Sequence, residues 1–227
     1  MLCEKPIALN LRECEEMIRV AEETGVHLME AFMYRYTDRT RKVNDIVRSG
    51  EIGQIRHISS TFRFLLNRPN TIKVNSALGG GSLYDVGCYP VNFVGMITGQ
   101  TPESCAVECV LENGVDTIFS AVLKYPDGVI ATIHSGFNAF NQMNTEIVGT
   151  KGRMEIPDTF LGVGGTITVV TESGTRAVPV DESDRYRLEI EDFAACVLTR
   201  NKPLVSLAET SRNMQVIDLL LSSMKQK

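Results

Sequence analysis

The sequence has no surplus of positive charge and no long apolar run. Its 227 residues include 23 Lys and Arg against 28 Asp and Glu, so the formal net charge is −5. A chain of this charge has little to offer a phosphate backbone, which argues against nucleic-acid binding. No apolar stretch approaches the roughly 20 residues that span a bilayer, and the first residues lack the layout of a signal peptide. We therefore expect a cytoplasmic protein that binds neither nucleic acid nor membranes.

Several motifs that mark common enzyme classes are missing as well. No GxGxxG follows a predicted strand, no GxxxxGK[ST] occurs, and no GxSxG nucleophile elbow is present. The histidines His27, His57 and His134 lie far apart, and no CxxC or HxxxH spacing occurs, so we predict no metal site. The six cysteines have irregular spacings, which are typical of reduced thiols rather than of a disulfide framework.

What the sequence does contain is the composition of a globular protein, with 43% hydrophobic and 22% charged residues. Apolar periodicity predicts a helix over 10–25, a buried strand over 27–33 and a second helix over 37–49. Only Met1 to Cys3 stand before this series as the end of a strand. The order strand end, helix, strand is that of a βαβ unit in a parallel sheet.

Strands dominate the chain beyond Gly53. A strand is predicted over 54–64 and a helix from Ser82 to about Ile97, with an irregular stretch between them. Turn residues then separate a series of strands, predicted at 103–112, 115–124, 129–137, 142–149, 152–157, 165–171 and 175–180. Helices at about 186–200 and 206–224 close the chain. Runs of strands with flanking helices indicate an α+β domain.

The tripeptide Glu4-Lys5-Pro6 is a first candidate for a site. A residue before proline is held in an extended conformation, and ligands of parallel α/β sheets bind at the carboxyl ends of the strands. Lys5 in that position could donate hydrogen bonds to a substrate hydroxyl and to a cofactor ribose. The alternative is a solvated lysine at a strand end, which the tripeptide alone favours.

The segment Gly79 to Pro90, GGGSLYDVGCYP, is a second candidate. Three successive glycines allow the backbone to approach a ligand or a neighbouring element closely. If Ser82 begins a helix, Asp85 and Tyr89 lie on one face of it and form a plausible general acid–base pair. The alternative is an aspartate placed for the helix dipole and a tyrosine of the core.

In this order and spacing, the two segments resemble the Gfo/Idh/MocA family of nicotinamide-dependent oxidoreductases. The resemblance extends over essentially the whole chain and is carried by Cys3 to Pro6, Leu28 to Tyr36, Ser49 to Gly53, Gly79 to Pro90 and Glu146 to Gly152. Within the family, the chain looks most like the dimeric dihydrodiol dehydrogenases and the D-xylose dehydrogenases. The resemblance implies an open-faced, predominantly antiparallel sheet flanked by helices on one side and preceded by a remnant βαβ edge of a Rossmann fold.

The resemblance also implies roles for the residues of the two segments. Lys5 matches the lysine beside the nicotinamide and the substrate, and Asp85 and Tyr89 match the acid and the proton donor or acceptor of the catalytic helix. Hydride would pass between a sugar or diol carbon and C4 of the nicotinamide, while Lys5 and Asp85 tune the pKa of Tyr89.

The cofactor implied by the resemblance is NAD or NADP. Its contacts would come from Glu4, Lys5, Pro6 and Arg35, and Tyr34 falls in the same cleft-lining segment as Arg35. The loops at 65–78 and 137–143 are expected to carry side chains of the substrate pocket. The sequence departs from the family at Thr37-Asp38, where relatives often carry His-Pro. The substrate contacts made near these two residues are therefore expected to differ from those of relatives.

Relatives carry a dinucleotide-binding domain before the Glu-Lys-Pro motif, and one βαβ unit needs about 30 residues. We therefore expect residues 1–35 to be the last edge of such a domain and residues 36–227 to be the substrate-binding, catalytic and dimerisation domain. On this reading the chain alone has no dehydrogenase turnover. The resemblance further implies a sugar or diol substrate and a homodimer, or a higher homo-oligomer, formed through the open sheet face. The alternative is a non-catalytic binding or oligomerisation module of the same fold.

Overall fold

The N-terminal part of the chain is a small parallel unit. The computed structural model describes residues 1–68 and 71–224. Strands β1 (Leu2–Glu4) and β2 (Met29–Ala31) pair in parallel and are joined by helix α1 (Leu11–Thr24). The Asn10 side chain accepts the Glu13 N–H at the start of α1, and Gly25 ends the helix in the left-handed conformation. The predicted βαβ arrangement is confirmed.

The second strand of this unit is shorter than the sequence pattern indicates. Apolar residues continue to Met33, but the backbone leaves the sheet after Ala31 and forms a 3-10 turn over Met33–Tyr36. Thr37 then caps α2 (Asp38–Ser49), because its side chain accepts the Thr40 N–H. Buried apolar residues in a tight turn and in a strand look alike in sequence, so periodicity could not separate them.

A nine-stranded sheet forms the larger part of the fold. Its strands are β3 (Ile55–Leu65), β4 (Ser104–Glu112), β5 (Val115–Lys124), β6 (Ile130–Gly136), β7 (Asn138–Gln142), β8 (Thr145–Gly149), β9 (Gly152–Ile156), β10 (Gly165–Thr171) and β11 (Gly174–Val180). They lie in the order β11-β10-β9-β8-β3-β6-β5-β4, and β7 pairs with β3. The β3–β6 pair is parallel and the other pairs are antiparallel. The predominantly antiparallel sheet is thereby confirmed.

The strand predicted over 142–149 is β8 and begins at Thr145, and a further strand, β7, forms between the predicted strands 129–137 and 142–149, where the sequence indicates none. Strand β7 pairs with the end of β3 across a register shift. Phe140 at the middle of β7 is 90% exposed. Since β7 has no buried apolar face, its sequence lacks the alternation by which a strand is recognised.

Helices cover one face of the sheet and leave the other open. Ile58, Ser60 and Phe62 of β3 are buried on the side that α3 (Cys88–Thr98) contacts. Helix α5 (Leu207–Met224) packs against α3, α1 and β4, and α4 (Arg185–Thr199) packs against the turn at Met33–Tyr36. The opposite face carries the partly exposed side chains Ser59, Thr61, Ser120, Thr132 and His134. This arrangement confirms the predicted open-faced α+β fold.

Candidate active site

Lys5, Asp85 and Tyr89 line one cavity of about 390 Å³. It lies between the end of β1, the segment after the glycine run and the helix-covered side of β3. Its other lining residues are mostly apolar: Met33, Phe62, Phe64, Lys73, Val86, Asn141, Met143, Leu161 and Tyr186. The structure thus brings together the three residues that the sequence analysis singled out, although they are separated by up to 84 positions.

The Lys5 ammonium is the centre of this group. Its Nζ donates to the backbone carbonyl oxygen of Asp85 at 2.5 Å and lies 3.7 Å from the Asp85 Oδ1 atom. The same atom stands 4.8 Å from the centre of the Tyr89 ring. The Lys5 and Asp85 side chains are only 14% and 17% exposed, so their attraction is screened less than that of a surface pair.

A buried carboxyl group holds the turn that carries Lys5. Glu30 of β2 is fully buried, and its Oε1 accepts the N–H of Ile7, two residues beyond Lys5, at 3.1 Å. Burial raises the pKa of Glu30 to about 7. The sequence analysis quoted Glu30 only as part of the Leu28 to Tyr36 segment. Its function as an anchor depends on the parallel pairing of β1 with β2, which sequence spacing does not reveal.

Asp85 stands in a π-helical turn, Leu83–Gly87, that runs directly into α3. The helix predicted from Ser82 is confirmed, and its first turn has π rather than α geometry. Buried Asp116 supports this turn, because its Oδ2 accepts the Ser82 hydroxyl at 2.7 Å and the Leu83 N–H at 2.8 Å. Burial raises the pKa of Asp116. A π turn is a frequent feature of functional sites, and here it directs Asp85 toward Lys5.

Tyr89 lies on the first turn of α3 and is 6% exposed. Its ring packs against Phe32, Phe62 and Phe160, with ring centres 5.6, 5.3 and 5.5 Å away. The hydroxyl contacts the Met33 Sδ at 3.5 Å, a weak acceptor that a ligand oxygen can replace at little cost. Burial raises the pKa of the Tyr89 phenol far above its ordinary value, so the unliganded site keeps the proton on Tyr89.

The residues predicted for the cofactor occupy different positions. Glu4 is exposed and Pro6 half-buried on either side of Lys5. The Arg35 guanidinium instead points into the interior, where its Nη2 lies 3.1 Å from Glu209 Oε1. Tyr34 is fully buried and donates to the Asn92 Oδ1 at 2.6 Å. Arg35 and Tyr34 connect the Met33–Tyr36 turn to the helices and are not among the described residues that line the cavity.

Lys73 is a cavity residue that the sequence analysis did not name. Its Nζ lies 2.5 Å from the Asp85 Oδ2 and 5.6 Å from the centre of the Phe64 ring. Lys73 and Asn141 fall in the two segments, 65–78 and 137–143, that were expected to be loops with pocket side chains, and Asn141 belongs to β7. Positions 69 and 70 of the first segment lie outside the described residues. A lysine in an irregular stretch carries no signal of its own, so only the fold could identify it.

A larger concavity of about 600 Å³ lies on the open face of the sheet. Small polar side chains dominate its lining, and the Ser120 hydroxyl is 2.8 Å from the His134 Nδ1. Lys5, Asp85 and Tyr89 do not line it. The smaller cavity, where charged groups and a buried phenol converge, is therefore the candidate active site.

Residues 1–68 and 71–224 contain no group of three or more His, Cys, Asp or Glu side chains arranged to hold a metal ion. None of their helices is long and apolar enough to cross a membrane.

Curated proteins of similar sequence include sugar and diol dehydrogenases. D-xylose 1-dehydrogenase (NADP(+)) 2 of Haloferax volcanii is 33% identical over 98% of this chain and 70% of its own length. Trans-1,2-dihydrobenzene-1,2-diol dehydrogenase of Xenopus tropicalis is 30% identical over 99% of this chain and 71% of its own length. The chain therefore spans about seven tenths of the length of these relatives.

Solved structures give the same fold. A 3-ketoreductase from Actinomadura kijaniata, solved with NADP and TDP-benzene, matches with a TM-score of 0.88 at 25% identity over 98% of this chain and 70% of that one. An aldose–aldose oxidoreductase from Caulobacter crescentus matches in fold, with a TM-score of 0.91 at 24% identity over 99% of this chain and 70% of that one.

The profile of the GFO/IDH/MocA C-terminal domain matches residues 40–155. This range extends from α2 to the end of β9 and includes the glycine run, Asp85 and Tyr89. The profile, the xylose and diol dehydrogenases and the open-faced sheet agree, and the chain belongs to the Gfo/Idh/MocA family of nicotinamide-dependent oxidoreductases.

Proposed function

We propose that this chain carries the substrate-binding and catalytic part of an NAD(P)-dependent oxidoreductase that acts on a hydroxyl-bearing carbon of a sugar or diol. The observation that carries the proposal is the convergence of Lys5, Asp85 and Tyr89 in one cavity. The names of the xylose and dihydrobenzene-diol dehydrogenases support the substrate class.

The donor groups of the chain fit the nicotinamide end of such a cofactor. Lys5 places an ammonium at the carboxyl end of a parallel strand, beside exposed Glu4, which is where dinucleotide-binding sheets receive their ligand. Helix α1 begins without a glycine-rich turn, so within the described residues we assign no cradle for the pyrophosphate. Arg35 can join the cofactor site only by leaving its pair with Glu209.

In the proposed reaction, bound nicotinamide supplies or accepts the hydride. Tyr89 donates its proton to the carbonyl oxygen of the substrate during reduction and takes it back from the hydroxyl during oxidation. The Lys5 ammonium orients that oxygen and offsets the negative charge that develops on it or on the phenol. The apolar wall that includes Phe62, Phe64 and Met143 excludes water from the reacting carbon.

The proposal is tested with two proteins: the 227-residue chain, and the same chain placed behind a dinucleotide-binding domain of the family. Incubation with NAD or NADP and a panel of pentoses and vicinal diols is followed by absorbance of the reduced nicotinamide. We expect turnover from the fusion and none from the chain alone. A folded fusion that binds cofactor but oxidises no member of the panel would refute the proposed function. Turnover by the chain alone would refute the need for the added domain.

We further propose that the open face of the sheet pairs with a second copy of the chain. Val110 of β4 and Val122 of β5 are 46% and 44% exposed on this face, beside the 600 Å³ concavity. Apolar side chains that border a concave surface are typical of interaction sites. Both hypotheses predict this pairing. An oxidoreductase could form a dimer through this face, and so could the alternative, a non-catalytic oligomerisation module.

Val122→Lys is expected to convert the dimer to a monomer, because pairing would bury an unpartnered ammonium. Light scattering coupled to size-exclusion chromatography should show a loss in dimer affinity of about 100-fold or more. The matched control is Val20→Lys, which changes a valine of α1 that is 45% exposed and should leave the dimer intact. A monomeric parent chain, or equal behaviour of the two variants, would contradict the assignment.

We also propose that the protein works in the cytoplasm. The six cysteines are thiols in the structure, as expected of a reducing compartment.

A further inference from the structure

Two ammonium groups contact Asp85, those of Lys5 and Lys73. The family resemblance accounts for Lys5 but not for Lys73. Lys5 Nζ lies 3.7 Å from the Asp85 Oδ1, and Lys73 Nζ lies 2.5 Å from the Asp85 Oδ2. Asp85 is the one acidic residue among the described residues that line the cavity. With both lysines charged, the lining therefore carries one positive charge that no lining carboxylate cancels.

The backbone of Lys73 is bound to the glycine run that precedes Asp85. The Gly81 N–H donates to the Lys73 carbonyl oxygen at 2.8 Å. A Cβ atom on Gly80 would stand 2.8 Å from the same oxygen, so this close approach requires glycine. The Lys73 side chain is 33% exposed and its ammonium faces the Phe64 ring. Lys73 is thus part of the same folded unit as Asp85, unlike a lysine on a free surface loop.

The hydrogen-bond geometry leaves these cations available to a ligand. An ammonium has three donors. Of the hydrogen bonds described for the two residues, Lys73 uses one, to Asp85 Oδ2, and Lys5 uses one, to the Asp85 carbonyl. The remaining donors border a cavity whose lining also includes Phe62, Phe64 and Leu161. A ligand that fits has an oxygen-bearing end and an apolar body.

We propose that Lys73 is a further binding residue of this cavity and gives it a preference for an anionic oxygen on the ligand. By pairing with Asp85, Lys73 leaves the charge of Lys5 uncancelled and adds donors of its own. The ligand class is a 2-hydroxy acid, with its carboxylate at Lys73, its hydroxyl near Lys5 and Tyr89, and its body on the phenylalanine wall. If the bound hydroxyl is also the reacting one, the uncancelled positive charge of the two lysines stabilises the alkoxide-like oxygen that forms from it. This last step rests on the proposed function.

The test is a matched pair of ligands, mandelate and 1-phenylethane-1,2-diol, which differ only in a carboxylate in place of a hydroxymethyl group. Their dissociation constants for the 227-residue chain are measured by calorimetry and by NMR titration. We expect mandelate to bind roughly tenfold more tightly, the ratio given by one hydrogen bond to a charged group. Lys73→Met and Lys73→Gln should bring the ratio close to one, and Lys73→Arg should retain the preference.

The control for net charge is Lys124→Met. Lys124 is 59% exposed at the end of β5 and 3.7 Å from Glu103, so its loss should leave the ratio unchanged. Circular dichroism and thermal unfolding confirm that each variant is folded. Failure of the parent chain to bind mandelate, equal affinity for the two ligands, or a preference that survives both Lys73→Met and Lys73→Gln would overturn the inference. Because no readout requires hydride transfer, a Lys73-dependent preference together with a folded, cofactor-binding fusion that shows no turnover would refute only the proposed function.

Discussion

Tyr89→Phe should lower the turnover number of the cofactor-bearing fusion by about 10²- to 10⁴-fold, the usual contribution of a general acid or base. The variant keeps the ring and its contacts with Phe32, Phe62 and Phe160. It removes only a hydroxyl whose described contact is Met33 Sδ. The free energy of unfolding should therefore change by less than about 1 kcal/mol. Steady-state kinetics and urea denaturation measure the two quantities on the same preparation.

The matched control is Tyr125→Phe, which removes the hydroxyl of a tyrosine that is 1% exposed and does not line the cavity. It should leave turnover within about twofold of the parent protein and lower the free energy of unfolding by the cost of one buried hydrogen bond, about 1 kcal/mol. If Tyr89→Phe retained full turnover, or if both variants lost it equally, Tyr89 would not be the proton donor.

Gly81→Ala is the substitution expected to damage the fold of the site most. Gly81 has a φ of +121°, and an added Cβ would stand 2.2 Å from the Oδ1 of Asp116. Asp116 is 4% exposed and accepts the Ser82 hydroxyl and the Leu83 N–H. The clash must displace this carboxyl group and weaken its bonds to the π turn. We expect a loss of about 3–5 kcal/mol in the free energy of unfolding, from backbone strain and the displaced hydrogen bonds together.

Gly174→Ala separates the two causes. Gly174 has a φ of +125° and no atom within 4 Å of an added Cβ, so it should show only the backbone cost of about 1–3 kcal/mol. Urea denaturation of both variants gives the difference, which we assign to the contact with Asp116. Equal losses in the two variants would show that Asp116 moves freely and does not support the turn.

Much of the local structure could be predicted because its causes lie close together in sequence. Asn10 and Gly25 mark the ends of α1 within a residue, since a cap is a contact between near neighbours. The same holds for the capping box of α5, in which the Ser206 hydroxyl and the Glu209 carboxylate each accept the other's backbone N–H. The strand β7, which was not predicted, and the π geometry at Leu83–Gly87 depend on partners far along the chain.

The sequence by itself determined the βαβ order and the antiparallel run of strands, and its resemblance to a family singled out Lys5, Asp85 and Tyr89 together. Only the tertiary structure decided that Glu30 holds the turn after Lys5, that Arg35 faces Glu209 and that Lys73 pairs with Asp85. The physical reason is that a cap or a turn is made by residues a few positions apart, whereas burial and charge pairing depend on distances in space. Those distances exist only after the sheet and its helices have packed together.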